Sequence, residues 1–285
     1  MPANFANEAG YWEPLEAVEI NDRILSSLGS DWWDPTLRVG KALSEESPAR
    51  RAQRRAFVDE ITRFFEGWSS DGTIVVKDPR IAAVADCWFD AVKHLGGTIK
   101  IIVPVRSPTA VAASLAERDA LPLELSSGMW LKYNVQASMK AKAFSHVFVN
   151  YDDLMSDWRH QVFRISSQLR IDLNTSRAQE IDAFLRQDLQ HHVSDDRPVE
   201  VFGGDWLGAL YSALRACQDM SSPGDSSPDD VIRETYNALL DGRLNIKPAV
   251  RQWEQMKPIQ QSWLGLFGQR AAGFGRLLKK SMAQR

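Results

Sequence analysis

Cysteine is scarce in this 285-residue sequence, in which Cys87 and Cys217 are the only two. Two thiols are too few for a disulfide framework or a cysteine-rich zinc site, so a reducing compartment fits best and no metal is expected. Positive charge is not in excess either, because the formal net charge is -3. A general nucleic-acid-binding protein is usually basic overall, so we expect no nucleic-acid partner.

Long apolar runs are also absent. The most apolar stretch, Ile99 to Val105, is interrupted by Lys100 and is far shorter than the roughly 20 residues that a helix needs to cross a bilayer. The first eight residues carry neither a basic segment nor an apolar one, so they do not form a signal peptide. These two absences predict a cytoplasmic protein.

Three short β-branched runs, at 73–76, 98–103 and 146–149, are each followed by a polar cluster and then by a helical pattern. Near-continuous apolar strands that alternate with helices predict a parallel sheet with helices on both faces, a three-layer α/β/α fold. The strand pattern ends near residue 200, which divides the chain into an α/β domain, 1–200, and a helical extension, 201–285. The predicted helices span Pro48–Trp68, Ile81–Leu95, Leu123–Phe144, Leu154–Leu169, Asp205–Met220 and Pro228–Leu240.

Charged residues stand directly after the predicted strands. In open parallel sheets ligands lie beyond the carboxyl ends of the strands, and the first two strands run into 77–80 and 106–108, both of which carry cations. Arg106 directly follows the second strand, and Ser107 is the N-cap candidate of the next helix. Ser114 lies two turns into that helix, on the same helical face as Ser107. The side chains of Arg106 and Ser114 can converge on one phosphate; the alternative is a surface arginine and a small packing serine.

An Arg-x-Pro after a buried strand, with serine eight residues beyond the arginine, resembles the 3′-phosphate-binding segment of sulfotransferases. Residues 7–13, 77–80 and 151–154 also resemble segments of the bacterial branch of that family. The resemblance covers roughly residues 4–195. It implies a P-loop-nucleotide-hydrolase-like fold and 3′-phosphoadenosine 5′-phosphosulfate as co-substrate. The implied acceptor is a hydroxyl or amine of a small molecule, lipid or carbohydrate, and no metal is implied.

The resemblance also suggests roles for four residues. Lys77 would stabilise the bridging oxygen as its bond to sulfur breaks, or it is a solvated strand-end lysine. Arg80 would hold an anion of the donor or acceptor, or it pairs with Asp78. The general base would be Glu13 or Asp78, with Glu13 favoured because Asp78 is also suited to cap a helix that begins at Pro79.

One part of the family pattern has no counterpart here. Sulfotransferases open with a strand and a loop resembling Arg-Ser-Gly-Thr-Ser, whose backbone N–H groups hold the 5′-phosphosulfate. The sequence has no such loop, and Gly96-Gly97 precedes a strand instead of following one. We therefore expect the chain as written to be weak or inactive in transfer. Truncation before Met1 and a non-catalytic anion-binding or partner protein on the same scaffold both stay open.

Two further patterns have modest explanations. His191-His192 with Asp195-Asp196 is more typical of a surface loop than of a metal site, because adjacent histidines cannot both face one ion from a regular helix. The basic, apolar-striped stretch 263–285 has the composition of a helix that lies on an anionic membrane. Its glycines weaken that helix, so we expect it to pack on the domain or to fray.

Overall fold

The computed structural model describes residues 12–68, 72–173, 175–185, 200–218 and 227–256. Both patterns just named, and residues 7–11 of the 7–13 segment, lie outside the described residues. Helices dominate the described ranges, and two strands stand among them. In chain order the elements are α1 Leu15–Ser27, α2 Arg38–Leu43, α3 Pro48–Glu66, α4 Ile81–His94, β1 Lys100–Val105, α5 Pro108–Asp119, α6 Leu123–Ala141, β2 Ser145–Asn150, α7 Tyr151–Ser156, α8 Trp158–Leu169, α9 Ala178–Phe184, α10 Trp206–Ala216, α11 Pro228–Leu240 and α12 247–256.

The sheet is small and parallel. β1 pairs with β2 in a register that places Lys100 opposite Ser145 and Val105 opposite Asn150. Two of the three predicted strands are therefore confirmed as adjacent and parallel, and the chain is an α/β protein. The strand predicted at 73–76 is wrong, because residues 73–78 form no regular element. A strand needs a neighbour for its N–H and C=O groups, and among the described residues β1 pairs with β2 alone.

Helices cover both faces of β2. Val147 and Val149 pack against α8, and Phe148, which points the other way, joins the core formed by β1, α6, α10 and α11. The cover on the α8 side does not extend to β1. Ile102 is 42% exposed, whereas its register partner Val147 is 2% exposed. On this face of the sheet, β1 is therefore much more exposed to solvent than β2.

The outward-facing edge of β1 contains a proline. The C=O of Phe148 accepts a hydrogen bond from Arg164, and the N–H of Asn150 donates to Gln218, so these two groups point away from β1. Since backbone direction alternates along paired strands, Pro104 points away from β2. Its missing N–H falls on the side where no ladder bond is made, which is where proline is tolerated in a sheet.

The segment after β2 differs from its prediction. A single helix was expected over Leu154–Leu169, but α7 and α8 are separated at Asp157, whose side chain accepts from the N–H of His160 and caps α8. The N-cap of α7 is Asn150, which accepts from the N–H groups of Asp152 and Asp153.

The described residues after 200 share the core of the sheet. Leu207, Leu210 and Leu214 of α10 lie in the same buried cluster as Val103 and Val105 of β1. α11 contributes Ile232 and Ala238 to that cluster, and α12 packs its Trp253 against α6 in another. The predicted helices are present at 206–216 and 228–240, and the boundary at residue 200 stays a prediction.

Gln218 connects the end of α10 to the carboxyl end of β2. Its Oε1 accepts from the backbone N–H of Asn150, which is 2% exposed, and its Nε2 donates to Asp153. We expect Gln218→Ala to lower the free energy of unfolding by about 1–2 kcal/mol, because a buried N–H loses its partner. Urea unfolding measures this, with Gln255→Ala on exposed helix surface as the control; an equal loss in both variants would contradict it.

Candidate functional site

Arg106 and Tyr151 lie together at the carboxyl edge of the sheet. Because Val105 is opposite Asn150, the residues that follow them are neighbours, and the Arg106 Cζ lies 4.5 Å from the centroid of the Tyr151 ring. The backbone is held as well, since Trp130 Nε1 donates to the Arg106 carbonyl at 3.0 Å. The sequence predicts that Lys77, Arg106 and Tyr151 share one edge of the sheet; this is confirmed for Arg106 and Tyr151, whereas no strand leads into Lys77, because residues 73–78 form no regular element.

The Arg106 guanidinium has no acid beside it among the described residues. Its Nε is buried and makes no hydrogen bond to any described group. Arg54, which is also half-buried, does have an acid beside it and lies 2.6 Å from Asp90. A buried donor on a fixed cation is costly to leave unsatisfied, and an anion placed over it would remove that cost.

α5 begins two residues after Arg106. Ser107 is the N-cap of α5 and Pro108 its first residue, as predicted, but the Ser107 hydroxyl bonds to Thr109 Oγ1 at 2.7 Å and makes no cap bond. Ser114 is half-buried, and its hydroxyl has no hydrogen bond to a described residue. The start of a helix favours negative charge, so this end of the sheet is electrostatically suited to an anion.

A second polar group lies at the turn before α4. The Asp78 carboxylate accepts from Asn21 Nδ2 at 3.0 Å, and from the backbone N and Nη1 of Arg80 at 2.9 and 3.0 Å. Trp88 donates to Asn21 at 2.8 Å and extends the network into the core. Arg80 therefore pairs with Asp78, which was one of its two predicted roles. α4 begins at Ile81, not at Pro79, so Asp78 fixes the turn ahead of the helix.

Arg80 also lies 2.7 Å from Asp22. Burial lowers the pKa of Arg80, but the charges of Asp78 and Asp22 outweigh it and raise the pKa above its ordinary value. Burial, with the nearby charge of Asp78, raises the pKa of Asp22 although Arg80 opposes the shift. Two carboxylates surround this one guanidinium, so Arg80 offers an incoming anion no unbalanced positive charge.

Glu13 and Lys77, two of the three predicted catalytic residues, are in contact. Lys77 Nζ donates to Glu13 Oε1 in an ion pair. The Glu13 side chain is 6% exposed, whereas that of Lys77 is 57% exposed, so a buried carboxylate lies beneath a lysine that faces solvent. Asp78 follows Lys77 in the chain, so the three predicted catalytic residues lie close together in the structure.

Trp32 lies beside Arg80 and also beside Arg118 of α5. The Cζ atoms of Arg80 and Arg118 lie 5.9 and 5.7 Å from the centroid of its ring. Arg118 is four residues beyond Ser114 and so lies on the same face of α5. Sequence reasoning assigned neither Trp32 nor Arg118 to a site. The four-residue spacing from Ser114 was a usable signal for Arg118, and nothing in the sequence singled out Trp32 among ten tryptophans.

No family model, curated protein or solved structure matches the chain. Its function is therefore inferred from its own residues.

The described ranges contain no group of three or more histidine, cysteine, aspartate or glutamate side chains that could hold a metal ion. Nor does any helix within them have the length and apolar character needed to cross a membrane.

Lys132 lies beneath the loop that carries Trp32. It is fully buried on α6, and its Nζ donates to the Asp34 carbonyl at 2.6 Å. The next residue, Tyr133, donates its hydroxyl to the Trp32 carbonyl at 2.8 Å. Burial lowers the pKa of Lys132 to about 8, although the charges of Asp34 and Asp31 oppose the shift. Two consecutive side chains of α6 thus fix the loop at residues 32 and 34.

Proposed function

We propose that the chain binds a 3′-phosphorylated adenosine nucleotide at the carboxyl end of β1 and that it is a sulfotransferase. The donor would be 3′-phosphoadenosine 5′-phosphosulfate, and the acceptor a small molecule, lipid or carbohydrate. The single observation that carries this proposal is the Arg106 guanidinium, which has a buried Nε without a partner among the described residues and lies on the Tyr151 ring. The proposal includes a three-layer nucleotide-binding fold, for which the parallel pair β1–β2 is the support.

The binding chemistry follows from the donors at this edge. A guanidinium offers two parallel N–H donors that match two phosphate oxygens, and the Ser114 hydroxyl supplies a third. The Tyr151 ring restricts the guanidinium to one plane, so less conformational entropy is lost when the phosphate binds. Trp32, flanked by Arg80 and Arg118, would form the opposite side of the site.

The transfer step needs a base and a stabilised leaving group. An acceptor hydroxyl oxygen would attack sulfur, the bond from sulfur to the bridging oxygen would break, and the hydroxyl proton would pass to Glu13. Lys77 would neutralise the charge that develops on the departing phosphate oxygen. Glu13 is preferred to Asp78 as the base because both oxygens of Asp78 are occupied by hydrogen bonds from Asn21 and Arg80.

A non-catalytic anion-binding protein on the same scaffold is the second candidate. The ion pair between Lys77 and Glu13 favours it, since each of the two residues needed for transfer is already engaged by the other. The two candidates share the Arg106 site and differ in chemistry. Transfer from labelled donor separates them: robust transfer by the purified chain supports the enzyme, whereas binding without transfer supports the second candidate.

The first test of the proposal is thermal. A ligand that binds only the folded state raises the melting temperature, and at 100 times its Kd it adds about 2.7 kcal/mol to the free energy of unfolding. We expect 3′-phosphoadenosine 5′-phosphate to raise the melting temperature clearly. Adenosine 5′-phosphate, which lacks only the 3′-phosphate, should raise it much less. Equal shifts for the two nucleotides, or none for either, would remove the basis of the proposal.

A further inference from the structure

The end of α10 is bonded to the first turn of α7. Gln218, two residues beyond α10, accepts from the backbone N–H of Asn150 and donates to the carboxylate of Asp153. Tyr211 of α10 accepts from Asn150 Nδ2 at 3.4 Å. Asn150 is 2% exposed, so its backbone and its side chain are both held from α10 in the interior of the fold.

Asn150 in turn fixes the residue that follows it. Its Oδ1 accepts from the backbone N–H of Asp152 at 2.8 Å and caps α7. Tyr151 is the first residue of α7 and lies between the cap and that N–H, so the cap sets its backbone conformation. The Arg106 Cζ lies 4.5 Å from the centroid of the Tyr151 ring. The contacts therefore run without a gap from α10 to the guanidinium.

The Tyr151 ring is the contact that restricts the plane of this guanidinium. Trp130 holds the Arg106 carbonyl, and the buried Arg106 Nε makes no hydrogen bond to a described residue. A guanidinium donates to two phosphate oxygens at once only in one plane. If the ring loses its fixed position, the guanidinium samples more orientations, and ordering it again on binding lowers the affinity.

We propose that Gln218 is a positioning residue of the Arg106 site, which acts through the cap of α7 and keeps the guanidinium in the orientation that a 3′-phosphate needs. This inference rests on the proposed nucleotide site, because it concerns the affinity of that site. It also gives a part in binding to α10, which the sequence assigned to a helical extension.

Calorimetry with 3′-phosphoadenosine 5′-phosphate and adenosine 5′-phosphate tests this role, at a temperature where circular dichroism shows each variant folded. Gln218→Ala should raise the Kd of the first nucleotide about three- to tenfold, which corresponds to the cost of ordering one more side chain on binding. The Kd of adenosine 5′-phosphate, which lacks the 3′-phosphate, should not change. A purely structural role would lower the free energy of unfolding and leave both Kd values of the folded protein unchanged.

Gln252→Ala is the matched control. Gln252 accepts from the backbone N–H of Leu125 at 3.1 Å and donates to Glu124 at 3.0 Å, so it makes the same pair of bonds at the first turn of α6. Leu125 is fully buried, and Asn150 is nearly so. The control should therefore lose a similar amount of stability and bind both nucleotides like the wild type.

A double-mutant cycle shows whether the effect passes through the guanidinium. In an Arg106→Ala background, Gln218→Ala should change the Kd of 3′-phosphoadenosine 5′-phosphate by less than about twofold. If Gln218→Ala does not fold, Gln218→Glu, which keeps the acceptor and loses the donor to Asp153, should show the same pattern with a smaller loss.

Three results would overturn the inference: an unchanged Kd in the Gln218 variant, an equal loss in Gln252→Ala, or a full loss in the Arg106→Ala background. Each of them leaves the proposed function standing if the wild type prefers the 3′-phosphorylated nucleotide. Equal affinity of the wild type for the two nucleotides would refute the proposed function, and this inference with it.

Discussion

Arg106→Ala should lower the affinity of the chain for 3′-phosphoadenosine 5′-phosphate by around 100-fold, or about 2–3 kcal/mol. The substitution removes a bidentate, charge-assisted contact from a guanidinium that Tyr151 and the end of β1 hold in place. The loss should be confined to the 3′-phosphate, so the affinity for adenosine 5′-phosphate should change little. Calorimetry with both nucleotides gives the two Kd values directly.

Three further variants test whether this loss is specific to the Arg106 guanidinium. Arg106→Lys should restore only part of the affinity, because an ammonium cannot reproduce the planar fork. Ser114→Ala should cost less, on the order of 1 kcal/mol. The matched control is Arg215→Ala, since Arg215 also lies over a tyrosine ring, 5.9 Å from the centroid of Tyr211, but on exposed surface. If Arg106→Ala weakens both nucleotides alike, or neither, the arginine is only a surface residue.

The second large effect is in stability and comes from Lys132. Its pKa is about 8 in the fold and about 10.4 in an unfolded chain, so between these values the unfolded state binds more protons. The penalty of burying the ammonium is fully present below pH 8 and is lost as the pH rises. Between pH 8 and 9.5 the contribution of Lys132 to the free energy of unfolding should therefore increase by about 2 kcal/mol.

Lys132→Met isolates that contribution, because it keeps the length of the side chain and removes the titrating group. Urea unfolding from pH 7 to 9.5 gives the free energy of unfolding of both proteins. Across the upper half of that range, the stability of the wild type should rise relative to that of the variant. Charged neighbours Asp31, Asp34 and Arg38 are present in both proteins, so their own effects largely cancel. A difference that stays constant with pH would show that the buried amine titrates in its ordinary range.

The elements that sequence reasoning located are those with strong local signals. α11 was predicted at its observed bounds, because Pro228 suits the first helical turn and the apolar residues recur at helical spacing. The β-branched runs placed β1 and β2 to within two residues. The run at 73–76 has the same composition and yet forms no strand, because strand formation depends on a paired neighbour that local composition cannot report.

In the candidate site, too, some contacts could be predicted from the sequence and others could not. The contact between Arg106 and Tyr151 followed from two adjacent parallel strands, whose ends must meet at one edge. Trp32 and Lys132 could not be found in this way. Trp32 meets Arg118, and Lys132 meets Asp34, across 86 and 98 residues of chain, and such contacts arise only when α6 packs beneath the 31–36 loop.

Pro104 has a consequence for the behaviour of the chain at high concentration. An exposed strand edge is a template on which a strand of another molecule can grow, and such growth leads to aggregation. On the outer side of β1 an incoming strand would find the N–H groups of Lys100 and Ile102 but none at Pro104. The lysine adds charge repulsion between like copies at the other end of the same edge. The apolar surface around Ile102 is therefore exposed without a continuous backbone template beside it.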